Sequence, residues 1–172
     1  MNSNSANSAQ RSDQRLGQTY RFNDPDMDLF FVAALGWGPT GGLDIGQAFH
    51  VASTIEDGDA DTWVSSFSRY AEVQTAQADA WKARGWRRAA GEARLKAFAS
   101  FRSAWQFAPP GPVFGALVAK QRAAFTAALE ELSFPEIAVI LDIGEGAAKM
   151  RHLRALRRIR ALMASDGSEV SP

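Results

Sequence analysis

Apolar residues return at every third and fourth position in successive runs between residues 24 and 164, and glycine or proline separates most of the runs. That spacing lines up one face of a helix and suits a half-buried strand poorly, so it restricts the chain to a helical body. In the first run Asp24 is the expected N-cap and Pro25 the first helical residue. Asp26 and Asp28 stand against the positive helix end, Leu29 to Leu35 follow, and Gly36 is the stop. The stretch Gly36-Trp37-Gly38-Pro39-Thr40-Gly41-Gly42 reads as a tight turn.

A second helix is expected over about 44–54, with Ile45, Ala48, Phe49 and Ala52 on one stripe. A third follows the acidic loop Glu56 to Asp61, carries Trp63, Phe67, Tyr70 and Ala71, and breaks at Gly85. A fourth spans about 89–107 and ends at Pro109-Pro110-Gly111-Pro112; a fifth spans about 113–132. The short β-branched run Ile137-Ala138-Val139-Ile140-Leu141 is the single expected strand. A basic helix over about 147–164 closes the ordered chain. The expected fold is all-α: a bundle of about five helices plus a basic C-terminal helix, with at most one short strand near 137–141. Its divisions are a disordered polar tail over 1–20, a helical domain over 21–135, a strand and turn over 136–146, the basic helix over 147–164 and a tail over 165–172.

Composition narrows function. The 172 residues include no cysteine, which excludes a disulfide scaffold, a thiolate zinc site and a thiol nucleophile. This suits a reducing compartment. There is no apolar run of about 18 residues to span a membrane, and the polar start does not read as a signal peptide. A cytoplasmic location is expected. The balance of 19 basic and 19 acidic side chains conceals segregation. Residues 24–79 hold ten acids and one base; residues 82–102 hold seven bases and one acid; residues 149–160 hold six bases and no acid. Helices of opposite charge are expected to pack together or to face a partner.

Few motifs carry chemistry. The glycines of 36–42 precede a helix, but no strand leads into them and no Lys-Ser/Thr pair follows, so a phosphate loop is not expected. Asp57, Asp59 and Asp61 occupy the first three ligand positions of an EF-hand-like loop. Thr62 replaces its glycine and Ser68 its bidentate glutamate, so capping of a helix is the better reading. His50 has no partner at helical spacing, and His152 lies among arginines. Nucleophile-elbow, S-x-x-K and H-E-x-x-H motifs are absent. No catalytic, metal-binding or cofactor-binding residue is therefore assigned. The candidate partner-binding residues are Arg151, Arg154, Arg157, Arg158 and Arg160, around a stripe of Leu153, Leu156, Ile159 and Leu162 or Met163. Such a helix can bind nucleic acid, anionic lipid or an acidic helix. Docking on the chain's own acidic half is the favoured reading.

Three segments in order carry a resemblance: Gly41-Gly42-Leu43-Asp44-Ile45, then Gly58-Asp59-Ala60-Asp61-Thr62-Trp63, then Gly85 to Ala90 with Leu95-Lys96-Ala97 and Ser100 to Phe107. Over about residues 20–140 the chain resembles the N-terminal helical region of α/β-hydrolases of the 2,6-dihydroxypseudooxynicotine hydrolase, polyketide-shortening hydrolase and prolyl-oligopeptidase-like group. The resemblance implies a cap that helps form dimers, with Ile137 to Leu141 as a remnant of the first hydrolase strand. Trp86 and Ala89 stand where that family has His and Ser, and the elbow never arrives. The implied function is a truncated or stand-alone cap, not catalytic alone, whose partner is a second copy or a separate hydrolase domain. The alternative is an all-α interaction module that binds an acidic partner, nucleic acid or a membrane surface through its basic last helix. A small active enzyme ranks below both.

Overall fold

Asp24 begins the first helix as expected. Its Oδ1 accepts from the Met27 N–H at 2.8 Å, and Pro25 occupies the first turn of α1 (Pro25–Leu35). The computed structural model describes residues 19–166; the expected tail over 1–20 falls almost wholly outside them, as does most of that over 165–172. A single turn of 3₁₀ helix (Gly38–Thr40) leads to α2 (Ile45–Ala52). The long antiparallel neighbours α3 (Ala60–Ala83) and α4 (Arg87–Trp105) follow, and α5 (Pro112–Glu131) returns along α4. The chain closes with α6 (Phe134–Leu141) and α7 (Glu145–Asp166). The described residues are all-α and contain no strand. The run Ile137 to Leu141, read as a strand, is the body of α6. β-Branched residues are only weakly averse to helix, and local propensity yields to packing and caps.

Turn chemistry sets the corners. Gly41, between the 3₁₀ turn and α2, has φ +85°, and a Cβ on Gly42 would stand 2.6 Å from that of Trp37, so only glycine fits this turn. Several acids of the first half hold backbone. Asp59 caps α3 by accepting from Asp61 and Thr62 N–H at 2.8 and 3.2 Å. Asp57 accepts from the Asn23 and Asp24 N–H groups at 2.8 and 3.0 Å. The loop that mimics three EF-hand positions is thus a device for capping and clasping.

The main core lies where α1 to α4 meet. Phe22, Phe31, Trp63 and Phe67 are fully buried, with Phe22 and Trp63 ring centroids 5.7 Å apart and Trp63 and Phe107 4.9 Å apart. The buried Trp63 indole N–H finds the Ser103 carbonyl at 2.8 Å, joining α3 to α4. A second core gathers Leu95 of α4, Ala128 and Leu129 of α5, Leu132, Ile137 and Ala138 of α6 and Ala148 of α7. Helix α5 serves both, giving Leu117 and Ala124 to the first. The last two helices are therefore seated on the body of the protein through a shared core.

Candidate nucleic-acid interface

The α6–α7 unit is built from its caps inward. Ser133 precedes α6, and the Glu136 carboxylate accepts from the Ser133 N–H at 2.8 Å and its Oγ–H at 2.7 Å. The Ser133 hydroxyl and N–H, with Arg88 beyond them, hold the Glu136 carboxyl below the usual carboxylate range against the opposing effect of burial. At the other end Asp142 takes a left-handed conformation, φ 50° and ψ 52°. Its N–H reaches the Val139 carbonyl at 3.3 Å, and the Ile143 N–H reaches that of Ala138 at 3.0 Å. These two bonds form a Schellman motif with aspartate at the position glycine usually fills. Only Asp142, Ile143 and Gly144 separate the helices, and the Ala148 N–H reaches the Gly144 carbonyl at 2.9 Å to start α7.

Two small residues bring the helices close. Ala148 is fully buried and Ala138 nearly so, in one cluster with Phe134, Ile140, Ile143 and Ala155. Two helices joined by a three-residue turn with glycine and sharing one core are the kind of unit that helix-turn-helix motifs are built from. The opposite face of α7 is open. Lys149, Met150, Arg151, Arg154, Arg157 and Arg158 are exposed. The Lys149 ammonium lies 6.0 Å from the Phe134 ring centroid, and the His152 ring meets Phe134 edge-on at 5.3 Å. The Arg160 side chain lies outside the described residues, as do those of Leu156, Ile159, Leu162 and Met163. Of that stripe only Leu153 is described, and it is exposed.

The expectation that this basic helix docks on the acidic half is not met. Among the described residues Lys149, Arg151, Arg154, Arg157 and Arg158 form no ion pair. The acids have nearer partners: Asp79 bonds Arg94, Asp44 meets Lys96 at 3.3 Å, and Glu72 meets Lys120 at 2.8 Å. Three acids of the first half are thus matched at the bundle surface by bases of α4 and α5, and the described cations of α7 are exposed.

Elsewhere the sequence candidates are occupied or isolated. His50 is exposed on α2, where the Ser53 hydroxyl donates to its backbone carbonyl. The described residues contain no group of three or more His, Cys, Asp or Glu placed to hold a metal, and no helix among them is long and apolar enough to cross a membrane. Reading the sequence for β-branching alone misses α6. The signal was present in Ser133-x-x-Glu136, a capping box three residues ahead of an apolar run.

A family model described as Sigma-70, region 4 matches residues 114–159, which is α5 from Phe114 through α6 to Ile159 of α7. Comparison with curated proteins gives no match. The family match overturns the kinship with hydrolase caps: the segment expected to begin a hydrolase domain is similar instead to a helical DNA-binding domain. The hydrolase function and the truncated-cap description fall with it. Physically, stripes of small and aromatic residues on successive helices satisfy any antiparallel bundle, so their order alone does not discriminate one from another.

Proposed function

We propose that the chain is a DNA-binding protein of transcription, with α6 and α7 as its helix-turn-helix and α7 as the recognition helix. The observation that carries this is the Asp142–Gly144 turn between two helices packed through Ala138 and Ala148, inside the segment similar to Sigma-70, region 4. In this motif the second helix enters the major groove and its first turns reach base edges, while the first helix crosses the backbone. Gly146 and Ala147 are small and exposed near the start of α7 and let it approach closely. Lys149 and Met150 follow, one a donor for guanine acceptors and the other an apolar contact for a thymine methyl. Arg151, Arg154, Arg157, Arg158 and Arg160 supply the phosphate contacts. Nucleic acid thus replaces the chain's own acidic half as the ligand of these arginines. The same likeness supports RNA polymerase as the protein partner.

Fluorescence anisotropy of the full chain with labelled duplexes, followed by selection from a randomised pool, tests this reading. Arg157→Ala should weaken binding across all sequences and lower the salt slope by about one, whereas Lys149→Ala should change which sequences are selected. Absence of duplex binding at low salt, or binding indifferent to all the α7 arginines, overturns the proposal.

A further inference from the structure

The corner between α3 and α4 lies outside the segment similar to Sigma-70, region 4 and directly beside the start of α6. Arg88 stands 3.6 Å from the Glu136 carboxylate in the first turn of α6, and Arg87 donates to the Glu130 carbonyl at the end of α5 at 2.7 Å. An open groove runs between the two corners, lined on one side by Gly85, Trp86 and Arg87 and on the other by Leu132, Ser133 and Glu136. Trp86 is 53% exposed, with its large apolar ring open to solvent at this corner. The Arg84 guanidinium lies 5.4 Å from that ring. This contact restrains Arg84 at the outer edge of the corner. Arg84 and Arg87 meet no carboxylate among the described residues, whereas Arg88 is shared by Glu92 and Glu136, and Lys82 meets Glu131.

We infer that Arg84 and Arg87, with Trp86 between them in sequence, form a second contact with the phosphodiester backbone of duplex DNA, flanking the groove that α7 enters. This rests on the DNA-binding reading above, and it follows from where a helix-turn-helix leaves the backbone: over its first helix, whose start adjoins this corner. Glu92, Glu131 and Glu136 also line the groove, with Glu131 buried against Lys82, and they bias the contact toward the outer, unpaired arginines. Backbone contacts of this kind add affinity and fix register without reading sequence. The N-terminal helices thereby become part of the binding surface as well as its support.

Binding of the full chain to a labelled mixed-sequence duplex of about three helical turns, over a range of salt, tests the inference. The paired substitution Arg84→Gln with Arg87→Gln should weaken binding about tenfold and lower the salt slope by about two, with no change in the selected sequence. Arg87 also bonds backbone, so Arg84→Gln alone is the control that leaves every observed hydrogen bond in place; it should lower the slope by about one. Circular dichroism checks that both variants keep their helix content. Unchanged affinity and slope in these variants, with binding still lost on substitution of Arg151 and Arg154, overturns the corner and leaves the α7 reading intact. Binding that responds to Arg84 but not to the α7 arginines supports the corner and overturns α7 as the recognition helix. A chain that binds no duplex overturns both.

Discussion

The backbone N–H of Ile143 reaches the carbonyl oxygen of Ala138 at 3.0 Å, across an Asp142 held in the left-handed region. This bond ends α6 and aims α7. Six residues of chain, Ala138 to Ile143, are closed into one loop, so Ala138 on one side and Ala148 on the other lie in the same core.

The left-handed Asp142 makes the turn open to improvement. Asp142→Gly should raise unfolding free energy by about 0.5–1 kcal/mol, because glycine carries no Cβ to oppose this conformation. Asp142→Val should lower it by about 1–2 kcal/mol. Urea unfolding of both variants checks the pair, and a glycine variant no more stable than the parent contradicts the account of the turn.

Close approach of α6 and α7 depends on the fully buried Ala148. Ala148→Leu adds volume where none exists and should cost about 1–3 kcal/mol, with duplex binding lost as the helices are pushed apart. Its exposed neighbour Ala147 is the comparison. Ala147→Leu should change stability by less than about 0.5 kcal/mol. Equal stability losses at the two positions would show that the packing does not discriminate them.

Asp28 ties the segment before α1 to the bundle. Its nearly buried carboxylate accepts from the N–H groups of Tyr20, Arg21 and Phe22 at 3.0, 2.8 and 3.1 Å. Burial opposes its ionisation, but the three donors together outweigh burial and hold its carboxyl below the usual value of 3.8. A carboxyl depressed in the folded state contributes stability that is complete above that usual value and is lost as pH falls through the folded one. Asp57 and Glu136 are depressed as well and act in the same direction. Asp28→Asn should therefore lower the thermal midpoint at neutral pH and flatten its decline in acid. Thermal melts across about pH 2–5 check this, and parallel acid profiles for parent and variant would exclude Asp28 from the linkage.

Helix boundaries were legible wherever backbone chemistry is local. Asp24 and Pro25 mark the start of α1, Gly85 the α3–α4 corner and Pro112 the start of α5, because caps and breakers act within one turn of themselves. The segment 137–141 was not legible by composition. Five apolar residues suit a strand or a helix equally, and Ser133 with Glu136 had to be weighed against their β-branching. The candidate interface divides in the same way. The arginines of α7 stand out in sequence, but the charge balance offered them an internal acidic partner that the fold gives to Arg94, Lys96 and Lys120.

By itself, then, the sequence determined a helical body, the positions of most helix ends and a cationic last helix, since periodicity, capping and charge are properties of neighbours along the backbone. Tertiary structure decided that residues 134–141 are helix and that Ala138 and Ala148 share one core. It also decided that Asp44, Glu72 and Asp79 pair with bases of α4 and α5 and that the described cations of α7 are exposed. Each of these depends on which distant side chains compete for the same partner, and contacts between residues far apart in the chain settle that competition.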